Sequence, residues 1–183
     1  WPGDDHSKDI YSGNHGTLQG GMGYAAGKVG QAFSFDGFDD YVNAGSGANL
    51  NITGEITLDA WIKPSVVSGY GEFISKGDYQ GGAGAFTYFF MIQEGKLRFG
   101  IKVGAAGDFV DSATTLSVGN LYHVTATFNP AIDDVVMLYI NGALDATGTI
   151  TTEPPSRPSD PLYIGALKNN SGTLNHFSGL VDE

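Results

Sequence analysis

The chain has 183 residues, with nine Lys and Arg against 20 Asp and Glu, giving a formal net charge of −11. It has no clustered positive charge of the kind that phosphate neutralisation needs, which excludes nucleic acid, and no apolar run long enough to span a membrane. Cysteine is absent, which removes disulfides, Cys-ligated zinc and thiol nucleophiles together, and the 28 glycines disfavour long helices.

Hydrophobic residues at 41% still supply a core, and the length suits one domain spanning residues 1–183. Trp1 is not an initiator Met, so the segment is expected to come from a longer secreted protein. Turn signals recur along it, including Ser12-Gly13-Asn14, Asp36-Gly37, Gly81-Gly82 and Asn141-Gly142. Between them lie short runs with a two-residue period. Phe33 and Phe35 alternate first; then Ile56, Leu58, Ala60 and Ile62 share one face, with Thr57, Asp59, Trp61 and Lys63 on the other. Residues 65–85 read as a long Gly-rich loop holding Tyr70 and Tyr79. Residues 86–93 are almost wholly apolar, as expected of a strand covered on both faces. Leu97, Phe99, Ile101 and Val103 alternate against Arg98 and Lys102; Tyr122, Val124, Ala126 and Phe128 alternate against His123, Thr125 and Thr127. Residues 135–140 turn at Asn141-Gly142 into 143–147, and Asn-Gly is the preferred type I′ pair. Residues 151–161 hold four prolines, which suit an extended rim crossing, and 162–166 and 177–181 supply the last strands. About a dozen short antiparallel strands without a capped helix predict an all-β, two-sheet sandwich of jelly-roll type.

Several stretches carry a family resemblance. Asp9-Ile10-Tyr11-Ser12-Gly13-Asn14-His15-Gly16, residues 27–42 with Phe33-Ser34-Phe35-Asp36-Gly37, and Ile56-Thr57-Leu58-Asp59-Ala60-Trp61 occur in order, followed by 121–128, 138–142 and 177–183. Together they resemble laminin-G-like jelly-roll domains of the concanavalin A-like lectin/glucanase superfamily. The resemblance implies a secreted, bacterial glycan-binding or interaction module appended to an enzyme or adhesin. Hydrolases and lyases share the fold, so fold alone does not assign activity.

The catalytic patterns of those relatives are missing. Retaining glycosidases need two carboxylates about 5 Å apart, and their Glu-x-Asp-x-x-Glu strand does not occur here. Glu55 and Asp59 have apolar neighbours and no third acid follows, while Asp133-Asp134 sits in a turn. Gln93 is followed by Glu94, unlike the Gln-Ile-His of alginate-lyase relatives. His6, His15, His123 and His176 form no metal-binding spacing.

Acid-rich turns suggest a hard cation instead. The resemblance implies that the first and last strands pair, bringing Asp4-Asp5 beside Asp182, and one structural Ca²⁺ on Asp5, Asp36 and Asp182 is the expectation. For sugar binding, ring faces and polar partners are needed. Tyr70, Tyr79, Tyr88, Arg98 and Lys102 are the candidates, with the Asn169-Asn170 tip beside them; Trp61 is assigned to inter-sheet packing. Arg98 and Lys102 on one strand face would form a cationic spot for an acidic polysaccharide. The reading is a non-catalytic carbohydrate-binding module, monomeric as an isolated domain. Its rivals are an adhesion or spacer module that binds protein, and an enzyme whose carboxylates come from different strands.

Overall fold

The computed structural model describes residues 1–79, 85–103, 106–169 and 171–183. Its strands run in chain order as β1 (Thr17–Gln19), β2 (Gly23–Ala26), β3 (Gln31–Asp36), β4 (Tyr41–Asn43), β5 (Ile56–Pro64), β6 (Tyr70–Asp78), β7 (Ala85–Gln93) and β8 (Lys96–Val103). They continue as β9 (Ala106–Thr115), β10 (Tyr122–Asn129), β11 (Val135–Ile140), β12 (Ala143–Thr149), β13 (Leu162–Ile164), β14 (Leu167–Asn169), β15 (Gly172–Leu174) and β16 (Ser178–Asp182). A single short 3-10 turn, Ala48–Leu50, is the one helical element among the described residues. None of their helices is long and apolar enough to cross a membrane.

Two seven-stranded antiparallel sheets form a sandwich, in the orders β1-β4-β13-β6-β7-β8-β9 and β12-β11-β10-β5-β16-β3-β2. This is the jelly-roll architecture anticipated from the alternation. The alternating faces meet between the sheets: Ile62 and Val124 from one, Phe90, Leu97, Phe99 and Ile101 from the other, all fully buried. Each such side chain stabilises the fold by about 1.5–3 kcal/mol relative to exposure. Phe73 lies 4.7 Å from Phe90 within one sheet, and Phe99 of β8 meets Phe128 of β10 across the layers at 6.2 Å between centroids. The Asn141-Gly142 turn has φ of 53° and 79°, the two positive values a type I′ hairpin requires.

Two sequence expectations change. Residues 65–85 are not one loop, because β6 runs through them between β13 and β7. The final strand does not pair with the first: β16 lies between β3 and β5, while β1 pairs with β4.

Gly179 in β16 sits at φ +138°, and a Cβ there would lie 2.2 Å from the Lys63 carbonyl oxygen of β5. Because that neighbour is backbone, it cannot swing aside. Gly179→Ala should therefore destabilise the protein by about 2 kcal/mol or more, measured by urea unfolding.

Candidate functional site

The face of the β6–β7–β8 sheet turned away from the core carries a groove of about 350 Å³. β8 places Arg98 and Lys102 there, because Leu97, Phe99 and Ile101 take the opposite, buried phase. β7 contributes Phe89, Met91 and Gln93 to the same face, and Tyr70 and Glu72 come from β6. Leu167 and Leu174 of the β14–β15 hairpin, with Asn175 beyond it, form a wall. Gly100 makes the floor possible: a Cβ there would lie 2.4 Å from the Phe89 ring.

Four of the five residues named from the sequence therefore converge: Tyr70, Tyr79, Arg98 and Lys102 all line this groove. Tyr70 is 55% exposed and presents a free ring. Tyr79 stacks nearly parallel on Phe86, with centroids 6.4 Å apart and an interplanar angle of 13°. The Lys102 ammonium sits 4.1 Å from the centre of the Tyr79 ring, and burial pushes its pKa down.

Tyr88 is the exception. Its ring is 3% exposed in the inter-sheet core, and its hydroxyl donates to the Leu50 carbonyl at 2.8 Å. Burial raises its pKa. Trp61 is the converse correction. It lies on the outer face of β5, with Lys28 4.4 Å from its ring and the His123 ring tilted against it at 4.9 Å, not between the sheets. Arg98 also differs from expectation, since it is already spoken for. It grips Asp111 of β9 with two hydrogen bonds of 2.6 and 2.7 Å and lies 3.5 Å from the Phe109 ring centre. Its charge is neutralised locally. Asn170 and Gly81-Gly82 lie outside the described residues.

Sequence reasoning missed Glu72. This side chain is 4% exposed, with Oε1 accepting from Asn175 Nδ2 at 3.1 Å and Oε2 without a partner. Desolvation pushes its pKa up to about 8, against the weaker opposing effect of the Asn175 bond. A carboxylic acid that stays neutral at physiological pH thus sits in the groove wall. No pattern could have signalled it, because a single Glu between Gly71 and Phe73 reads as a solvated loop acid.

The acids named for a cation do not meet. Asp182 is buried, and its Oδ2 accepts from the Lys28 and Val29 amides at 2.6 and 3.4 Å. Asp4 reaches the same turn through the Gln31 amide at 2.8 Å, and Asp5 beside it is exposed. Asp36 pairs with Ser178, four residues from Asp182, and so stands roughly 13 Å along the strand from it. One ion with ligands at about 2.4 Å cannot bridge Asp5, Asp36 and Asp182. Asp36 instead clusters with Asp39 and Asp40, the three carboxylates offering oxygens within 4.8 Å of one another. Asp40 is buried there and its pKa is raised, by desolvation first and by the Asp36 and Asp39 charges besides, against an amide bond from Asp36.

A second depression of about 520 Å³ lies beside Glu55, Asn129 and Ile132. Two of its polar groups already satisfy each other, Asn129 Nδ2 donating to Glu55 Oε1 at 2.7 Å. It presents no exposed aromatic ring, so the β6–β8 groove is the stronger site.

Comparison with known proteins agrees with this architecture. Residues 35–183 match the family model described as the concanavalin A-like lectin/glucanases superfamily. The chain belongs to that superfamily. Among solved structures it is similar to domain 4 of an extracellular arabinanase from Geobacillus stearothermophilus in complex with arabinotriose. The TM-score is 0.73 at 16% identity, over 100% of this chain and 87% of that one. It is also similar to the CBM40 domain of the Ruminococcus gnavus IT-sialidase bound to α2,3-sialyllactose, with TM-score 0.62 and 15% identity over 74% and 76% of the two chains. The binding domain of Paraclostridial mosquitocidal protein 1 gives TM-score 0.67 and 16% identity, over 96% of this chain and 45% of that one. At such identities the likeness concerns the fold. No curated protein matches the chain.

Proposed function

We propose that this superfamily member is a non-catalytic carbohydrate-binding module and that the β6–β8 groove is its glycan site. The observation that carries this is the convergence of Tyr70, Tyr79 and Phe89 with Arg98, Lys102, Gln93 and Asn175 on one groove. Rings for stacking and polar groups for hydroxyls are what a saccharide requires. Support comes also from the neighbours, an arabinanase domain holding arabinotriose and the CBM40 domain of a sialidase holding sialyllactose. A secreted bacterial parent, an enzyme or adhesin carrying this module, is part of the same reading.

Hydrolysis of a glycosidic bond ordinarily needs two carboxylates. Glu72 is the one carboxylate among the described residues of the groove lining, and nearby Asp111 is held by Arg98. Both facts favour binding over turnover. Stacking on a Tyr contributes on the order of 1 kcal/mol, so micromolar to millimolar affinity is expected. In affinity-gel electrophoresis over a polysaccharide panel, Tyr79→Ala should weaken retention roughly fivefold, and Tyr70→Ala similarly. Tyr70→Ala should leave the melting temperature nearly unchanged, and Tyr79→Ala should lower it only by a few degrees, through loss of the Phe86 contact. Absence of retention throughout the panel transfers the reading to a spacer or protein-binding module. Release of reducing ends by the pure protein transfers it to an enzyme.

A structural Ca²⁺ belongs to this proposal in altered form, held by Asp36, Asp39 and Asp40. The ion would neutralise three carboxylates in the turn between β3 and β4. Excess Ca²⁺ should then stabilise by about 2.7 kcal/mol at a hundredfold excess over Kd. Asp39→Asn should abolish the shift, and identical melting curves in Ca²⁺ and chelator would remove the idea.

A further inference from the structure

We propose that the groove selects a saccharide carrying an anionic group, carboxylate or sulfate, and that Lys102 is the residue that reads the charge. The inference rests on the glycan-binding reading of the same groove. Its ground is a charge census. The chain has 20 acids against nine cations. Every one of those acids lies in the described residues, and the remaining positions, 80–84, 104, 105 and 170, are Gln, Gly, Ala and Asn. Arg98, Arg157 and Lys168 hold carboxylates within 4 Å, at Asp111, Asp160 and Asp78, whereas Lys102 holds none, as is true also of Lys8, Lys28, Lys63, Lys76 and Lys96. Of these unpaired lysines Lys102 is the one that lines the aromatic groove, and a cation without an acid there is an unfilled anion position.

The rest of the groove preserves that positive charge. Arg98 and Asp111 cancel, and Tyr70 and Tyr79 are neutral. Glu72 is the remaining acid, and burial keeps its carboxyl protonated below about pH 8. Besides these groups, His176 pairs with the Glu72 backbone through an isolated bridge, but its ring turns to Tyr41 and the Asp40 carbonyl. The groove therefore carries one net positive charge on Lys102, placed against the face of Tyr79, where a sugar ring and its acid substituent can be held together.

The test uses pairs of ligands that differ in charge alone: oligogalacturonate and its methyl ester, 3′-sialyllactose and lactose, and a sulfated oligosaccharide with its desulfated form. Titration calorimetry at pH 7 and low salt should show the acidic member of at least one pair bound roughly tenfold more tightly. Which pairs respond separates carboxylate from sulfate. The preference should shrink as salt rises. Lys102→Gln should erase it, and Lys102→Arg should restore most of it. Above pH 8 wild-type affinity for the acid should fall, and Glu72→Gln should remove most of that fall. Equal or tighter binding of the neutral members, lost in Tyr79→Ala, would overturn the proposal and leave the glycan-binding reading intact. So would an acid preference that survives in Lys102→Gln. Failure of every ligand, acidic and neutral, to bind overturns both.

Discussion

Glu72→Gln should stabilise the protein by about 3 kcal/mol at pH 7 and leave it almost unchanged at pH 4, although it removes a native carboxyl. The ordinary Glu value is 4.5, and burial raises it to about 8 here. Between those values the native state binds a proton that the unfolded chain releases, so stability falls as pH rises from about 4.5 to 8 and then levels. The cost is absent below pH 4.5, where both states are protonated. Gln keeps the acceptor for Asn175 and carries no charge to desolvate. Urea unfolding of the two proteins between pH 4 and 9 should give curves that coincide at the acid end and diverge steadily above it. A constant offset, or parallel pH profiles, would show that the carboxyl is ionised in the native groove. Asp108 runs the other way. Its Oδ2 accepts from the Thr152 hydroxyl at 2.7 Å and from the Thr152 amide and both Thr151 groups, which lower its pKa. Its contribution is present at neutral pH and is lost as pH falls through its native value.

The second large effect is expected at Asp182. Truncation to Ala should cost about 2.5 kcal/mol, or roughly 5–10 °C in melting temperature for a chain of this size. The buried carboxylate caps the turn after β2, accepting from the Lys28 and Val29 amides, and Ala would leave those donors without their acceptor. Asp182→Asn retains an acceptor oxygen and should cost clearly less. The loss should persist in chelator, because these hydrogen bonds are made by the protein itself. A loss seen only when Ca²⁺ is present would instead make Asp182 a ligand.

Alternation found the strands whose two faces differ in polarity. In β5, β8 and β10 an apolar phase and a polar phase are unmistakable, and the core follows directly. It failed where a strand is covered on both sides. β7 is aromatic or apolar almost throughout, and its register with β8 shifts between Phe86 and Phe89. No phase could be read, which is how Tyr88 came to stand among the groove candidates. β6 failed for the opposite reason: Glu72, Ser75, Lys76 and Asp78 are all buried polar residues. Their partners lie far off in sequence, as when Ser75 donates to the Ala166 carbonyl at 2.7 Å and Lys76 to that of Asp160. Burial satisfied by remote partners leaves no local trace. The groove was legible in part because Arg98 and Lys102 share a strand phase, and Tyr70 and Tyr79 border the glycine-rich segment. Its electrostatic character was legible only in part: of the cationic spot expected from Arg98 and Lys102, Arg98 is lost to Asp111, and the burial of Glu72 beside Asn175 arises through pairings that only the fold creates.

The placement of β16 bears on how the chain comes to be folded at all. The last strand in sequence is an interior strand, hydrogen-bonded to β5 on one side and β3 on the other. During synthesis, the β12-β11-β10-β5 half and the β3-β2 half must wait as two separate ribbons, each with an open edge. Only when Ser178–Asp182 leaves the ribosome can the seven-stranded sheet close. Such long-range closure is intrinsically slow, and unpaired edges held open meanwhile are templates for association between nascent chains. A chain stalled before residue 178 should therefore be protease-sensitive and prone to self-association, and release of the final strand should act as the latch.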